Sequence, residues 1–524
     1  MYDYVIVGAG SAGCVLAARL SEDPDVRVLL LEAGDRDTRP EIHIPAAFSR
    51  LFHTEADWDY YTVPQPGAAD RQLYWPRGRV LGGSSSINAM IYVRGHAADY
   101  DAWAAAGCDG WGYADVLPLF KKSEDNTRGA SAYHGVGGPL TVVDPQSPSP
   151  VSEAFVEAAE AVGQPHNPDF NGAEQEGAGL YQLTQRRGRR VSAATAFLRP
   201  VMRRPNLVVW TGAHAHRVAV ENGVAVGVDV ERQGAIQRVR ATREVILCGG
   251  AINTPQLLML SGIGPADELR SLGLDVVVDR PEVGENLQDH LIVGLHYHLT
   301  ETRSLKDAEG IGALLGYLWN RTGMLSSNIA EAGLFARTDP SEPAPDIQFH
   351  VAPGHFFDHG QTPPQEHGFS VGPTLLTPAS RGRIALHNAD PTSPPTIDPR
   401  VLSEPRDVER LVAGLQLAQE IADAEPLRSL WDRTLDPTPA SHDPADLADH
   451  VRRTCETLYH PVGTCRMGAD DDSVVDPELR VRGVEGLRVA DASVMPVIPR
   501  GNTNAPTMMV AEKAAVTIRE AVPA

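Results

Sequence analysis

The sequence is poor in cysteine, in aromatic residues and in positive charge. Its 524 residues include five cysteines, and aromatic residues make up 6%. An odd, scattered set of cysteines in a long chain indicates reduced thiols and argues against a disulfide framework. Lys and Arg number 46 against 68 Asp and Glu, so the formal net charge is −22. Such a surface repels phosphate backbones, and we therefore expect no nucleic-acid partner.

Long hydrophobic runs are also missing. Apolar runs such as Val28–Leu31 and Leu257–Leu260 are far too short to cross a bilayer. The first apolar run, Tyr4–Val7, is not preceded by a segment with the features of a secretory signal. We expect a cytoplasmic protein without a transmembrane segment, and the sequence leaves peripheral contact with a membrane surface open.

The length of the chain and the change in sequence composition along it predict two domains. A chain of this size is too long for one compact core. Runs typical of buried strands occur near the start, in the middle and at the end of the chain, at Tyr4–Val7, Val245–Cys248 and Leu487–Val489. Between about 300 and 455, proline-rich connections separate short alternating strands from helical stretches. We interpret this region as a second domain inserted into the first.

A glycine-rich motif follows the first predicted strand and opens a helix. Its turn, its close backbone approach and the helix N-terminus suit a pyrophosphate. Glu32 ends the next predicted strand, where a carboxylate can accept hydrogen bonds from an adenosine ribose. The pattern predicts a dinucleotide site without separating FAD from NAD. Its candidate contacts are Gly8, Gly10, Ser11, Ala12, Gly13 and Glu32.

Four further runs carry a resemblance to a known family. They are Gly78–Asn88, Gly250–Gly264, Tyr459–Gly468 and Gly501–Thr507. In their order and spacing they resemble the signatures of the glucose-methanol-choline (GMC) oxidoreductases, and the resemblance covers nearly the whole chain. It implies FAD and a mixed α/β (α+β) fold. That fold has a Rossmann-like FAD-binding domain built from discontinuous segments, and a substrate domain with an antiparallel sheet flanked by helices.

We assign the two domains on this basis. Residues 1–155, 198–298 and 456–524 are predicted to form the FAD-binding domain. Residues 156–197 and 299–455 are predicted to form the substrate-binding domain.

The resemblance implies cofactor contacts beyond the glycine motif. The pair Gly82 and Gly83 suits a backbone that must pass close to a flat ring. Asn88 closes the first signature. Asp491 resembles the acid that approaches the ribityl and pyrophosphate region, with a helix cap as the alternative. Val218 corresponds to the family's backbone contact to adenine, with a plain core valine as the alternative.

One position bears on how the cofactor is held. Some members attach FAD covalently through a histidine immediately before the asparagine of the first signature. Here that position is Ile87, which has no nucleophile. We predict non-covalent FAD.

The C-terminal runs contain the predicted catalytic pair. Oxidation of an alcohol needs a base for the hydroxyl proton, and a neutral imidazole suits that task. His460 resembles the family's active-site histidine, and Asn504 resembles the second polar residue, which would orient the substrate oxygen. Cys455, His460 and Cys465 are evenly spaced, but they lack the short cysteine pairing of zinc sites. We predict no metal.

The sequence constrains the substrate less than it constrains the cofactor or the catalytic residues. The run Ser326–Gly333 resembles a segment of the choline dehydrogenase-like branch, where choline dehydrogenases tend to have histidine at the position of Ile329. This departure favours an aliphatic or aromatic primary alcohol over choline as the substrate. The predicted reaction is oxidation of that alcohol to the aldehyde by hydride transfer to flavin. Candidate pocket residues are Phe349, His350, Phe356 and Phe357, with ordinary core packing as the alternative for aromatic residues at this spacing.

The sequence leaves alternatives open for the electron acceptor and for the class of reaction. The branch resemblance favours a dehydrogenase over an oxidase, and quinone and oxygen both stay open as acceptors. A hydroxynitrile lyase that keeps FAD only structurally is the alternative from another class. A light-driven decarboxylase is disfavoured, because the histidine and asparagine of the alcohol oxidisers are retained.

Overall fold

A parallel sheet brings together three distant parts of the chain. The computed structural model describes residues 1–300, 304–362 and 366–521. In these ranges the sheet has seven strands, and its parallel part runs in the order 207–210, 28–31, 2–7, 235–247 and 487–489. At its centre, residues 4–7 of the first strand and the whole of the second are apolar and buried, as expected for a parallel sheet. The strands are Tyr2–Val7, Val28–Leu31, Leu207–Trp210, Ala213–Glu221, Val224–Arg232, Ala235–Leu247 and Leu487–Val489.

An antiparallel sheet forms the second layer of structure. Its strands pair through ladders such as Phe349 with Leu334 on one side and with Pro373 on the other. Within the described ranges it has eight strands. They are Gly177–Leu180, Leu291–Ile292, Leu295–Leu299, Ala332–Ala336, Ile347–Ala352, Gly368–Leu375, Trp431–Thr434 and Glu456–Thr457.

Helices cover both sheets. Ser11–Leu20 and Asn504–Glu520 pack against each other beside the parallel sheet, and Pro150–Ala161 and Pro405–Asp423 pack on the antiparallel sheet. The other α-helices of the described residues are Pro40–His43, Ala97–Ala105, Tyr113–Ser123, Gly250–Leu260, Ala266–Ser271, Ile311–Asn320 and Pro444–Thr454. Among the described residues, none of these helices combines the length and apolar character that a membrane span requires.

The two ends of the chain are joined by a buried ion pair. The carboxylate of Glu512, which is fully buried, accepts hydrogen bonds from Arg19, with a shortest distance of 2.7 Å, and from the Ser123 hydroxyl at 2.9 Å. Lys122 lies 2.9 Å from the same carboxylate. These contacts hold the last helix against the helix that follows the glycine motif.

The predicted fold is confirmed. The parallel sheet is built from separated segments, and the antiparallel sheet is flanked by helices. The exact domain boundaries stay a prediction. Strands Leu291–Ile292 and Glu456–Thr457 belong to the antiparallel sheet, although both lie in ranges predicted for the cofactor-binding domain.

Candidate active site

A cavity of about 670 Å³ is lined by residues from both sheets. The glycine motif and the predicted catalytic histidine face this same space, although they lie more than 400 positions apart in the sequence. Gly13, Gly82 and Val218 are not part of its lining. The predicted residues that do line it are Gly8, Gly10, Ser11, Ala12, Glu32, Gly83, Asn88, His460, Asp491 and Asn504.

Two glycine segments touch each other at one wall of the cavity. Gly83 has a φ of +52°, and a Cβ added there would lie 2.7 Å from Cα of Gly10. A Cβ on Gly13 would lie 1.9 Å from the carbonyl oxygen of Gly8. Gly82 supports the same contact, since its N–H donates to the carbonyl of Ala9 at 2.8 Å. The glycine segments thus pack backbone against backbone with no room for a side chain between them, which is the close packing that the glycines of a dinucleotide-binding motif permit.

The first helix presents its N-terminus to the cavity. Its N-cap is Gly10, and no side chain caps the first turn. Backbone N–H groups in such a turn are donors for a pyrophosphate.

Glu32 stands beside this turn. Its carboxylate accepts hydrogen bonds from the N–H groups of Ala9 at 3.0 Å and Gly34 at 2.9 Å. Burial raises the pKa of this carboxyl to about 7, against the lowering effect of the two N–H donors. A carboxylate in this position can accept a further hydrogen bond from a ribose hydroxyl.

Asp491 has a structural role as well as a place in the lining. One oxygen accepts from the Gly250 N–H and the Thr254 hydroxyl, at 2.8 and 2.6 Å. The other accepts from the N–H and hydroxyl of Ser493, at 2.8 and 2.6 Å. The cap that was the alternative prediction for Asp491 is therefore present, and it joins two segments that line the cavity.

Asn88 is oriented by its neighbours. Its side-chain oxygen accepts from Arg190 at 2.6 Å and from the Met90 N–H at 3.0 Å. The amide nitrogen of Asn88 is then the atom available to a ligand.

Val218 is buried behind the cavity wall. Its N–H donates to the Ser261 hydroxyl at 2.8 Å, so this backbone donor is already used. The segment Ala213–Ala215, earlier in the same strand, lines the cavity instead.

A chain of hydrogen bonds fixes the protonation of His460. His290 Nε2 lies 3.1 Å from the carbonyl oxygen of Leu376, which can only accept, so Nε2 carries the proton. His290 Nδ1 is then an acceptor, and His460 Nδ1, 3.0 Å away, donates to it. The remaining nitrogen of His460, Nε2, is left without a proton. A neutral imidazole in this form is a base at Nε2.

The surroundings also keep His460 neutral. Burial, the neighbouring imidazoles of His290 and His350, and the Arg77 cation hold the pKa of His460 well below its ordinary value of 6.5. Burial lowers the pKa of His290 to about 3. The backbone N–H of His460 donates to Asp289 at 2.7 Å, which fixes the turn that carries the imidazole.

The structure places the two asparagines of the C-terminal run differently from the sequence prediction. The side-chain oxygen of Asn504 accepts from the Ser11 hydroxyl at 2.7 Å, so Asn504 lies at the glycine motif. The amide nitrogen of Asn502 lies 3.4 Å from His460 Nε2. Asn502 also lines the cavity. The polar partner of His460 is therefore Asn502, which the sequence analysis did not single out.

A second hydrogen-bond chain orients Asn502. Gln348 donates to the side-chain oxygen of Asn502 at 3.2 Å and to the Tyr181 hydroxyl at 3.0 Å. That hydroxyl donates to the carbonyl of Phe349 at 2.7 Å. Because the oxygen of Asn502 is occupied, its amide N–H groups are directed at the cavity. His290 and Gln348 were missed because nothing in the local sequence distinguishes His290 from an ordinary loop residue or Gln348 from an ordinary strand residue.

The other predicted pocket residues divide between the cavity and the core. His350, Phe356 and Phe357 line the cavity, whereas Phe349 is fully buried in the core. His350 Nδ1 lies 3.1 Å from the Thr374 hydroxyl, and its Nε2 has no partner among the described residues.

An apolar cluster closes part of the cavity. Phe48, Phe52, Ile87, Ile329 and Phe356 pack together and all line it. Ile329 has a φ of +75°, which a β-branched residue adopts only under strain from its surroundings.

The zinc alternative finds no support in the side-chain contacts. Cys455 Sγ lies 3.5 Å from an Arg71 nitrogen, while His460 faces His290. Across the described ranges, no group of three or more His, Cys, Asp or Glu is arranged to hold a metal.

Comparison with known proteins gives relatives over the whole chain. It is 48% identical over 527 residues to an alcohol dehydrogenase [acceptor] of Pseudomonas putida, covering 99% of this chain and 96% of the relative. It is 45% identical over 534 residues to the mitochondrial choline dehydrogenase of Mus musculus, covering 99% and 89%.

Solved structures agree with this. Pyridoxine 4-oxidase from Mesorbium loti superimposes with a TM-score of 0.92 at 36% identity, with full coverage of both chains. Formate oxidase from Aspergillus oryzae RIB40, solved to study the effect of a mutation on FAD modification, gives a TM-score of 0.93 at 30% identity, covering 99% and 98%. Sequence models of GMC oxidoreductases match residues 2–292 and 378–511. The chain therefore belongs to the GMC oxidoreductase family.

Proposed function

We propose that this protein oxidises a primary alcohol to the aldehyde with non-covalently bound FAD. One observation carries the proposal: the unprotonated Nε2 of His460 and the amide of Asn502 face the cavity that the glycine motif also lines. A relative 48% identical to this chain is an alcohol dehydrogenase, which supports the same reaction.

The cofactor would be held by the wall around the glycine motif. The first-turn N–H groups at Ser11 and Ala12 suit the pyrophosphate, and Glu32 suits the adenosine ribose. Gly83 and Asn88 line the cavity and suit the ring system, and Asn88 can offer its amide nitrogen because its side-chain oxygen is bonded to Arg190. FAD, when bound, supplies the acceptor for the hydride.

His460 and Asn502 would act on the same hydroxyl group. The alcohol donates its O–H to His460 Nε2, which takes the proton as the carbon gives up hydride. The amide of Asn502 donates to the alcohol oxygen and stabilises the charge that develops there. Asn502 replaces Asn504 in this role, because Asn504 is bonded to Ser11. A positioned base of this kind is typically worth about 10² to 10⁴ in rate.

We propose that the substrate is an apolar primary alcohol and not choline. The cluster of Phe48, Phe52, Ile329 and Phe356 supplies apolar surface to the cavity. Glu456 also lines it, but it is paired with Arg71 at 2.8 Å and lies 3.3 Å from His359. That carboxylate is therefore already neutralised and is a poor partner for a quaternary ammonium.

Anaerobic bleaching of the flavin tests the proposal. The panel contains choline, short and long alkanols, benzylic and furanic alcohols, and sugars. We expect bleaching by apolar primary alcohols at rates above that of choline. Bleaching by choline alone would favour the choline reaction. A flavin that stays oxidised with every alcohol, while a hydroxynitrile is cleaved, would overturn the proposal in favour of a lyase.

A further inference from the structure

The helix Ile311–Asn320 exposes an unusual amount of apolar surface. Trp319 is 88% exposed, Ile311 80% and Leu315 62%, and Leu314 and Leu318 are also exposed. The helix contains no charged residue. Exposed apolar surface concentrated in this way marks a contact site for another apolar phase or partner.

One side chain anchors the helix to the protein. Tyr317 is buried, and its hydroxyl donates to the carbonyl of Gly188 at 2.7 Å. Gly188 lies in the turn of a short hairpin whose strands are Gln185–Arg186 and Arg189–Arg190. A Cβ on Gly188 would lie 2.1 Å from the carbonyl oxygen of Arg321, so this hairpin packs directly on the end of the helix. The helix is thus held at one face and presents its leucines and Trp319 outward.

The hairpin places positive charge beside this apolar surface. Arg187 and Arg189 flank Gly188 and are exposed. Arg321 follows the helix, with its guanidinium 5.0 Å from the centre of the Tyr317 ring. Asp307, in the turn ahead of the helix, accepts from the Ser304 N–H at 3.3 Å. The chain as a whole carries a net charge of −22, whereas three arginines surround this apolar helix. The surface charge here is therefore opposite in sign to the net charge of the protein.

The chain leads from this helix directly to the cavity wall. Leu305, in the turn before the helix, packs on the apolar cluster that contains Ile329 and Phe356. After the helix, Asn328 donates to the carbonyl of Ala89, and both Ala89 and Ile329 line the cavity. The apolar surface therefore adjoins the wall of the candidate active site.

We propose that the helix Ile311–Asn320 docks on an anionic lipid bilayer. Leu314, Leu315, Leu318 and Trp319 enter the boundary between headgroups and acyl chains, and the exposed arginines contact lipid phosphates. The combination of leucines, an exposed Trp and a basic rim is typical of interfacial helices. A bilayer matches both features, because it offers an apolar phase directly beneath a layer of negative charge. The proposal is independent of the reaction at His460.

Flotation of the flavin-loaded protein with liposomes tests the docking. The probes are vesicles of phosphatidylcholine alone and of phosphatidylcholine with 30% phosphatidylglycerol. We expect binding to the anionic vesicles and a blue shift of Trp319 fluorescence on binding. Changing Leu315, Leu318 and Trp319 together to Gln should lower the partition coefficient by on the order of a hundredfold, because the inserted apolar side chains are lost. Gln is a good helix former, so the helix itself is retained.

Two further variants sharpen the test. Ile236 is 66% exposed at a distant hairpin, and Ile236→Gln should bind as the wild type does. Each Arg→Gln change at Arg187, Arg189 or Arg321 should weaken binding to anionic vesicles by about fivefold. Flavin absorbance and thermal melting serve as checks that the variants are folded.

Three outcomes would overturn the proposal. One is the absence of binding to either kind of vesicle. A second is binding that the triple helix variant leaves unchanged. The third is a dimer in lipid-free sedimentation velocity that the triple variant dissociates, since this would mean that a second copy covers the helix.

Discussion

His460 Nδ1 lies 3.0 Å from His290 Nδ1, and this contact determines which nitrogen of His460 can act as a base. The carbonyl of Leu376 sets the tautomer of His290, and His290 sets the tautomer of His460. A backbone carbonyl thus controls a proton at the active site through two imidazoles.

Replacing His290 should slow the reaction while the flavin and the substrate still bind. In His290→Phe the acceptor for His460 Nδ1–H is lost, so the proton can move to Nε2 and block the base. We expect kcat to fall by about 10- to 100-fold with little change in KM. Steady-state kinetics at matched flavin content measures this.

A conservative variant controls for a merely structural effect. The amide of His290→Gln can donate to Leu376 and accept from His460, so most of the activity should return. Equal loss of activity in the Phe and Gln variants would contradict the tautomer argument.

The two asparagines should behave differently when each is changed to Ala. Asn502→Ala removes the donor to the alcohol oxygen, and we expect turnover to fall by about 10² to 10³ with the flavin retained. Asn504→Ala removes the partner of Ser11 and should weaken flavin binding, while kcat per bound flavin stays within about tenfold of the wild type. Turnover and flavin content of both variants are to be measured together. The reverse pattern would restore the assignment of Asn504.

The pH dependence should lack an inflection near the ordinary histidine pKa. His460 acts only when neutral, so activity is lost as pH falls through its pKa. Burial and the neighbouring positive groups hold that pKa well below 6.5. The acid limb of kcat/KM that belongs to His460 should therefore lie below pH 6.5. A pKa of 6.5 or higher in the free enzyme would contradict this account.

The flavin should leave the protein on denaturation. Ile87 lies in the apolar cluster and has no atom that can form a bond to the ring. Precipitation with acid should therefore release all the yellow colour into the supernatant. Flavin that stays with the pellet would show a covalent link elsewhere in the chain.

Most of the fold was predictable from local patterns. The sequence predicted strands at Tyr4–Val7, which is a continuous apolar run, and at Leu487–Val489, and the observed strands Tyr2–Val7 and Leu487–Val489 match them closely. Parallel strands buried on both faces leave a strong signal in sequence, because most residues in the run are apolar.

The fine geometry of the site was not predictable in the same way. Asn502 and Asn504 are two positions apart in one motif, and only the start of the helix at Asn504 separates their directions. Asn504 faces Ser11 because it opens the helix that packs on the helix of the glycine motif. The partners of His460 and Asn502 come from distant parts of the chain, so a contact such as Gln348 with Asn502 leaves no local trace.

The most direct test of the account is the rate of anaerobic flavin reduction by an apolar primary alcohol, measured by stopped flow in the wild type and in His460→Ala at equal flavin content. We predict a rate constant lower by about 10² to 10⁴ in the variant, with its flavin spectrum intact. Equal rate constants in the two proteins would contradict the role of His460 as the base.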